Sequence, residues 1–190
     1  MEATKLVSFA EFAKRPRTLW VAFGSVVILS VGFQLARSLV GGKLLDEVSD
    51  SATVLSILSG MSTQQVGWHI AVTVGLDFLY PLAYAALFAG LIIRGFNQYS
   101  PALLLSLVIL LIADLVENLS QIALLAMVLL QFDNASLAAL AWLKGVATFS
   151  KFSMLYLTVA IAALALLRLM VQKMFALRKP NRLNNTGNDG

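Results

Sequence analysis

The chain reads as an all-α, polytopic membrane protein, a bundle of four transmembrane helices. Three observations point there. Hydrophobic residues make up 59% of the 190 residues and charged ones only 13%, where a soluble domain carries about 25% charged. Four stretches stay apolar over at least the roughly 20 residues that a bilayer requires. Lys and Arg gather at the two ends, as topology determinants do. Four spans and short tails occupy nearly the whole length, leaving one membrane domain and no separate soluble one.

Residues 1–17 are expected to form a cytoplasmic head. Leu6, Phe9 and Ala13 fall on one face of a turn or two of interfacial helix, which Pro16 ends. The first span covers about 18–40, with Trp20 as an interfacial anchor. It follows Lys14-Arg15-Pro16-Arg17 and outruns a signal-peptide core, so it reads as a retained helix. Gly41-Gly42 breaks it. Residues 43–65 form the longest connection, and Val54, Leu55, Ile57 and Leu58 suggest a short helix on the membrane surface.

The second span covers about 66–93, opening on Trp68-His69. The third covers about 101–131, with Pro101 suited to a first helical turn. The fourth covers about 140–171. Residues 172–190 make a basic tail, and from 181 onward it lacks the apolar content needed to fold. Basic residues at Lys5, Lys14, Arg15 and Arg17, at Arg94, and at Lys173, Arg178, Lys179 and Arg182 share one side. Both termini are therefore expected in the cytoplasm, and in a bacterial host the protein would sit in the inner membrane.

Composition also excludes chemistry. With no cysteine, disulfides, thiolate metal sites and thiol redox relays are out. One histidine, His69, rules out a bis-histidine haem within one chain and is expected as a satisfied interfacial side chain. The net charge of +4 suits anionic lipid headgroups, and no basic stripe carries stacking aromatics, so nucleic acid is not an expected partner. No metal or cofactor is expected. Membrane lipids are the expected partners, and a homo-oligomer stays open.

The informative residues lie inside the spans. Charged groups in hydrocarbon are costly and normally face a bundle interior. In the third span Asp114, Glu117, Asn118 and Gln121 are spaced i, i+3, i+4 and i+7, a single face of an otherwise greasy helix. In the second, Asp77, Tyr80, Pro81 and Tyr84 share a face, and Pro81 frees the carbonyl of Asp77. Lys144 and Lys151 share a face in the fourth, and Gln34, with Arg37 beyond it, faces them from the first. At a rise of about 1.5 Å per residue, Gln34, Asp77, Glu117 and Lys151 reach similar depths in the outer half of the membrane. Three acids and two lysines nearly balance, by ion pairing or with one acid carried neutral.

The segments Leu76-Asp77-Phe78-Leu79-Tyr80-Pro81-Leu82-Ala83-Tyr84 and Ala113-Asp114-Leu115-Val116-Glu117-Asn118 resemble a family of uncharacterised small four-helix integral membrane proteins. That family pairs Asp-x-x-x-Pro-x-x-Tyr in its second span with Asp-x-x-Glu-Asn in its third, and Lys144 or Lys151 is similar to a lysine in its fourth. The likeness covers about residues 40–170. It implies a fold and a site position and lends no activity.

The cluster reads most directly as a pocket for a small molecule or a lipid headgroup. Other readings are a lipid- or isoprenoid-modifying intramembrane enzyme, an oligomeric proton-coupled transporter, and a structural or assembly protein in which the polar contacts fix helix register. The sequence offers no nucleophile motif, metal constellation or phosphate loop, and leaves open whether the chain is an enzyme.

Overall fold

The computed structural model describes residues 15–97 and 100–178. The interfacial turn expected at Leu6, Phe9 and Ala13, and the unfolded tail expected from 181, lie outside them. Every regular element among the described residues is helical. Four helical stretches are long and apolar enough to cross a bilayer: Pro16–Ala36, Thr63–Phe96, Ser100–Leu129 and Asn134–Ala176.

Helix α1, Pro16–Ala36, starts on a proline whose missing N–H costs nothing in a first turn. The stretch expected to be helical to Val40 stops as helix at Ala36. The Gly42 N–H wraps back to the Arg37 carbonyl at 2.7 Å. Gly41 and Gly42 hold φ of 89° and 94° there, a conformation that favours residues without a Cβ.

The loop that follows does not stay outside the bundle. Leu44, Leu45 and Val48 are buried around a single turn, Leu45–Glu47. Asp50 then caps α2, Ser51–Ser59, by accepting the Thr53 N–H at 2.7 Å. The apolar face of α2 was expected to lie on lipid, and it packs on protein instead. Val54 and Leu58 are buried with Leu124, Leu125 and Ala141. Side chains of the neighbouring helices cover that face more completely than an interface would.

Helix α3, Thr63–Val72, opens with a reciprocal capping box between Ser62 and Gln65. A wide turn, Thr73–Asp77, separates it from α4, Tyr80–Phe96. The sequence suggests one span kinked at Pro81; the break comes earlier. A proline removes its own N–H and crowds the carbonyl four residues back, here that of Asp77. The chain meets both demands by widening beforehand, with the Phe78 N–H bonded to the Thr73 carbonyl at 3.2 Å. Pro81 is left in the first turn of α4.

Helices α5, Ser100–Leu129, and α6, Asn134–Arg178, form an antiparallel hairpin, the most extensive contact in the molecule. Buried positions on α5 run 107, 110, 114, 117, 121, 124, and on α6 they run 141, 144, 148, 151, 158, 162, 165. Both follow the alternating three-and-four spacing of a coiled-coil seam. Apolar clusters close the two ends of this seam. Tyr84, Ala89, Ile93, Leu107 and Leu110 pack at one end, and Leu45, Val48, Val54, Val66, Leu124 and Ala141 at the other. Polar residues occupy the layer between. Helix α1 lies at the edge, mainly against α4, with only Ala22 and Ala36 buried.

Two glycines permit close approach. A Cβ at Gly95 would lie 2.6 Å from the Ala165 Cβ, so α4 and α6 touch there nearly backbone to backbone. A Cβ at Gly145 would overlap the Ser49 carbonyl oxygen, which is backbone and has little room to yield. Gly145→Ala therefore lifts the 44–50 loop off α6. It is expected to cost about 1–3 kcal/mol, as overpacking does. The check is thermal unfolding in detergent followed by the fluorescence of the three tryptophans.

Candidate functional site

The polar stripe of α5 meets the lysine face of α6 in the middle of the seam. Glu117 is fully enclosed. Its Oε2 accepts from Lys151 Nζ at 2.6 Å. Its Oε1 accepts from the Thr148 hydroxyl and lies 3.4 Å from Lys144 Nζ. Lys151 also reaches Asp114 Oδ1 at 2.7 Å, and Asp114 Oδ2 accepts from the Tyr84 hydroxyl at 3.0 Å. One ammonium thus bridges two carboxylates on successive turns of α5, and a tyrosine ties them to α4.

Lys144 is the largest fully buried side chain. Its ammonium donates to the carbonyls of Val48, at 2.7 Å, and Leu45. The tucked loop therefore supplies backbone acceptors to a buried cation. Buried cations need this, because an unpaired ammonium in a low-dielectric interior is severely penalised.

The rest of the α5 stripe faces the wide turn between α3 and α4. Asn118 Nδ2 donates to the Asp77 carbonyl at 3.1 Å, the group that Pro81 leaves without its usual partner. Gln121 Nε2 donates to Thr73 Oγ1 at 2.7 Å, and Thr73 donates to the His69 carbonyl. Asn118 thus satisfies irregular backbone directly, Gln121 reaches it through the Thr73 hydroxyl, and both stand apart from the ion cluster. His69 is only 1% exposed, and its Nε2 has no hydrogen-bond partner among the described residues. The residue is enclosed by protein, with Trp68 beside it exposed, and the expected satisfaction of its ring is incomplete at Nε2.

Beside the ion cluster lies a chamber of about 240 Å³ between α1, the tucked loop, α4 and α6. Asp77, Tyr80, Tyr84 and Lys151 line it, together with Phe33, Phe152, Asp46 and Glu47. Tyr80 hydrogen-bonds Ser30 of α1 at 3.2 Å and meets Phe33 edge to face. Gln34 is exposed and reaches only the rim, so it does not join the buried layer as expected. Arg37 also lines the chamber and is paired with Glu47. Asp77 pairs with neither lysine: its carboxyl, 3% exposed, makes no hydrogen bond or ion pair among the described residues.

Sequence reasoning passed over Asp46 and Thr148. Asp46 lies in the 43–65 connection, where its type alone marks nothing but a loop charge. Thr148 carried a usable signal, since 144, 148 and 151 repeat the spacing that picked out the α5 stripe. With Asp46 included, four carboxyls (Asp46, Asp77, Asp114 and Glu117) face two lysines. The carboxylates of α5 pair with both lysines of α6, which leaves Asp46 and Asp77 without an ion pair among the described residues. Among the described residues no group of three side chains has the arrangement to hold a metal ion.

No family model, curated protein or solved structure matches the chain.

Glu117 joins two lysines and a threonine. Glu117→Gln is expected to destabilise the fold by about 3–5 kcal/mol, the cost of leaving buried charges unpaired. Asp114→Asn should cost less, since Lys151 keeps Glu117; unfolding in detergent ranks the two. Burial pushes the Asp46 carboxyl up to about 6. Lys151 and Lys144 oppose the rise, and Glu117 and Glu47 add to it. A carboxyl with a raised folded-state value favours the fold when protonated, and that contribution is lost as pH rises through about 6. Asp46→Asn should therefore raise the melting temperature at pH 7.5, and raise it less at pH 5.

Proposed function

We propose that this is a membrane-embedded binding protein whose chamber holds a small molecule or a lipid headgroup. One observation carries the reading: a cavity of about 240 Å³ beside the ion cluster, walled by Asp77, whose buried carboxyl has no partner among the described residues. Intramembrane ionisable groups are rarely kept without a role. A carboxyl that adds nothing to its neighbours' pairing is better explained by something outside the chain than by packing. The chamber has the volume of about eight waters at ~30 Å³ each, enough for a headgroup or a compact amphiphile.

The deeper half of the cluster supports a second, structural role. Lys144 and Lys151 both have close partners, and the Glu117 carboxylate contacts both of them and Thr148. That saturation leaves no free acid or base there for catalysis, so these residues support register along the α5–α6 seam. The same proposal takes both termini to the cytoplasmic side of a bacterial inner membrane, on the strength of the basic residues at Arg15, Arg17, Arg94 and Lys173. It also includes kinship with the four-helix family that the Asp77-Pro81-Tyr84 and Asp114-Glu117-Asn118 motifs resemble.

Native mass spectrometry of protein extracted in mild detergent tests the reading. Wild type is expected to carry a bound small molecule or lipid, and Leu155→Trp, which fills the chamber from α6, is expected to lose it. A wild type that emerges empty, and takes up nothing from a membrane lipid extract or a metabolite extract of its host, overturns the reading.

A further inference from the structure

The charge pattern of the chamber goes further than its volume. Five charged side chains line it, and the cations are spent: Arg37 is paired with Glu47, and Lys151 with Asp114 and Glu117. Asp46 and Asp77 remain, each without a hydrogen bond or ion pair among the described residues, and Asp77 is almost completely buried. Aromatic rings from three helices complete the wall: Phe33 on α1, Tyr80 and Tyr84 on α4, and Phe152 on α6. Tyr80 stacks edge to face against both Phe33 and Tyr84 at centroid distances of 5.5 and 5.7 Å. Carboxylates attract cations directly, and aromatic rings attract them through their quadrupoles, most strongly where water is excluded. An anion would meet the two acids, and the one open cationic donor on the wall, Arg37 Nε, belongs to a guanidinium already neutralised by Glu47. A metal ion would want more oxygen ligands than two carboxyls supply.

We propose that the chamber binds an organic ammonium group, with Asp77 and Asp46 as its counter-charges and the aromatic rings as its walls. This rests on the binding-protein reading above. The ammonium enters as a free amine or as the headgroup of an aminophospholipid, and the chemistry recognised is the same. The ligand reduces the imbalance that the fold leaves open: two lysines answer Asp114 and Glu117, and the ammonium, shared between Asp46 and Asp77, answers one charge of the remaining pair.

The test uses the full chain in maltoside detergent at pH 7.5. The probe is 2-phenylethylammonium chloride, compared with neutral 2-phenylethanol and anionic 3-phenylpropanoate, with binding read by calorimetry and melting temperature. The ammonium alone is expected to bind and raise the melting temperature. Asp77→Asn should weaken it roughly tenfold or more, the loss of one charge-assisted partner. Should that variant fail to fold, Asp46→Asn, in the loop, is expected to weaken binding in the same direction. Nanodiscs of phosphatidylethanolamine and of phosphatidylglycerol separate the sources. Weaker probe binding in the first identifies a lipid headgroup, and equal binding in both identifies a free amine; either outcome supports the proposal. Equal binding of the alcohol or the carboxylate, abolished by Leu155→Trp, overturns the ammonium assignment and leaves the pocket standing. No binding by any probe, in wild type as in Leu155→Trp, overturns the ammonium assignment; a ligand still retained in native mass spectrometry would then keep the pocket reading alive, and its absence would remove both.

Discussion

Glu117 connects to almost every other part of the molecule. Its two oxygens take Thr148, Lys144 and Lys151 from α6. Lys144 holds the carbonyls of Leu45 and Val48, which fixes the loop. Lys151 holds Asp114, which holds Tyr84 on α4, and Tyr84 meets Tyr80, which is bonded to Ser30 on α1. A chain of ion pairs, hydrogen bonds and one aromatic contact thus runs from one carboxylate to all four spans. In lipid the apolar faces gain little from associating with one another, because the solvent is equally apolar. Polar contacts and close packing carry more of the specificity than they would in water, and here they form a single connected layer.

That layer is sealed by the two apolar clusters at the ends of the α5–α6 seam. The seal shapes the electrostatics. Water is kept from Glu117 and Lys144, so the geometry around them must be nearly complete, and at Glu117 it is. Among the carboxyls, pairing stops at the chamber; away from it His69 Nε2, Asn118 Oδ1 and Gln121 Oε1 are buried without hydrogen bonds among the described residues. Asp46 and Asp77 reach the chamber without partners among the described residues, and its outer wall is α1, the least buried of the four spans. The carboxylates paired with lysine and the two that have no ion pair among the described residues thus sit side by side, divided by Lys151.

Much of this architecture is legible in the residues. Spans of this length and hydropathy have few alternatives, and the stripe 114, 117, 118, 121 points inward because the other faces are Leu, Ile, Val and Ala. Which lysine meets which acid is not legible, since helix rotation and stagger decide it. The tucked loop is hidden for a different reason. Leu45 and Val48 serve Lys144 through backbone carbonyls, and carbonyls leave no trace in side-chain identity. Asp46 follows from the same blindness: in a loop it looks like a surface charge until the loop is seen to fold inward. At Pro81 the freed carbonyl of Asp77 could be read directly, and its partner Asn118 lay in the predicted stripe. The wide turn four residues before the proline could not be read, because it depends on Thr73 and Gln121 from two different helices.

The buried charges of α5 also bear on how the chain enters its membrane. Helix α5 is made before α6, yet its carboxylates find their counter-charges only on α6. Inserted alone, an acid near mid-bilayer costs about 2.5–3.5 kcal/mol on a biological insertion scale, and α5 carries Asp114 and Glu117 together. The connection to α6 spans only residues 130–133, short enough for the two helices to meet while still beside the insertion machinery. The same pairing that sets their register thus favours their passage into lipid as one hairpin. Helix α1, with no charge between Arg17 and Arg37, can wait in the bilayer alone until α4 arrives.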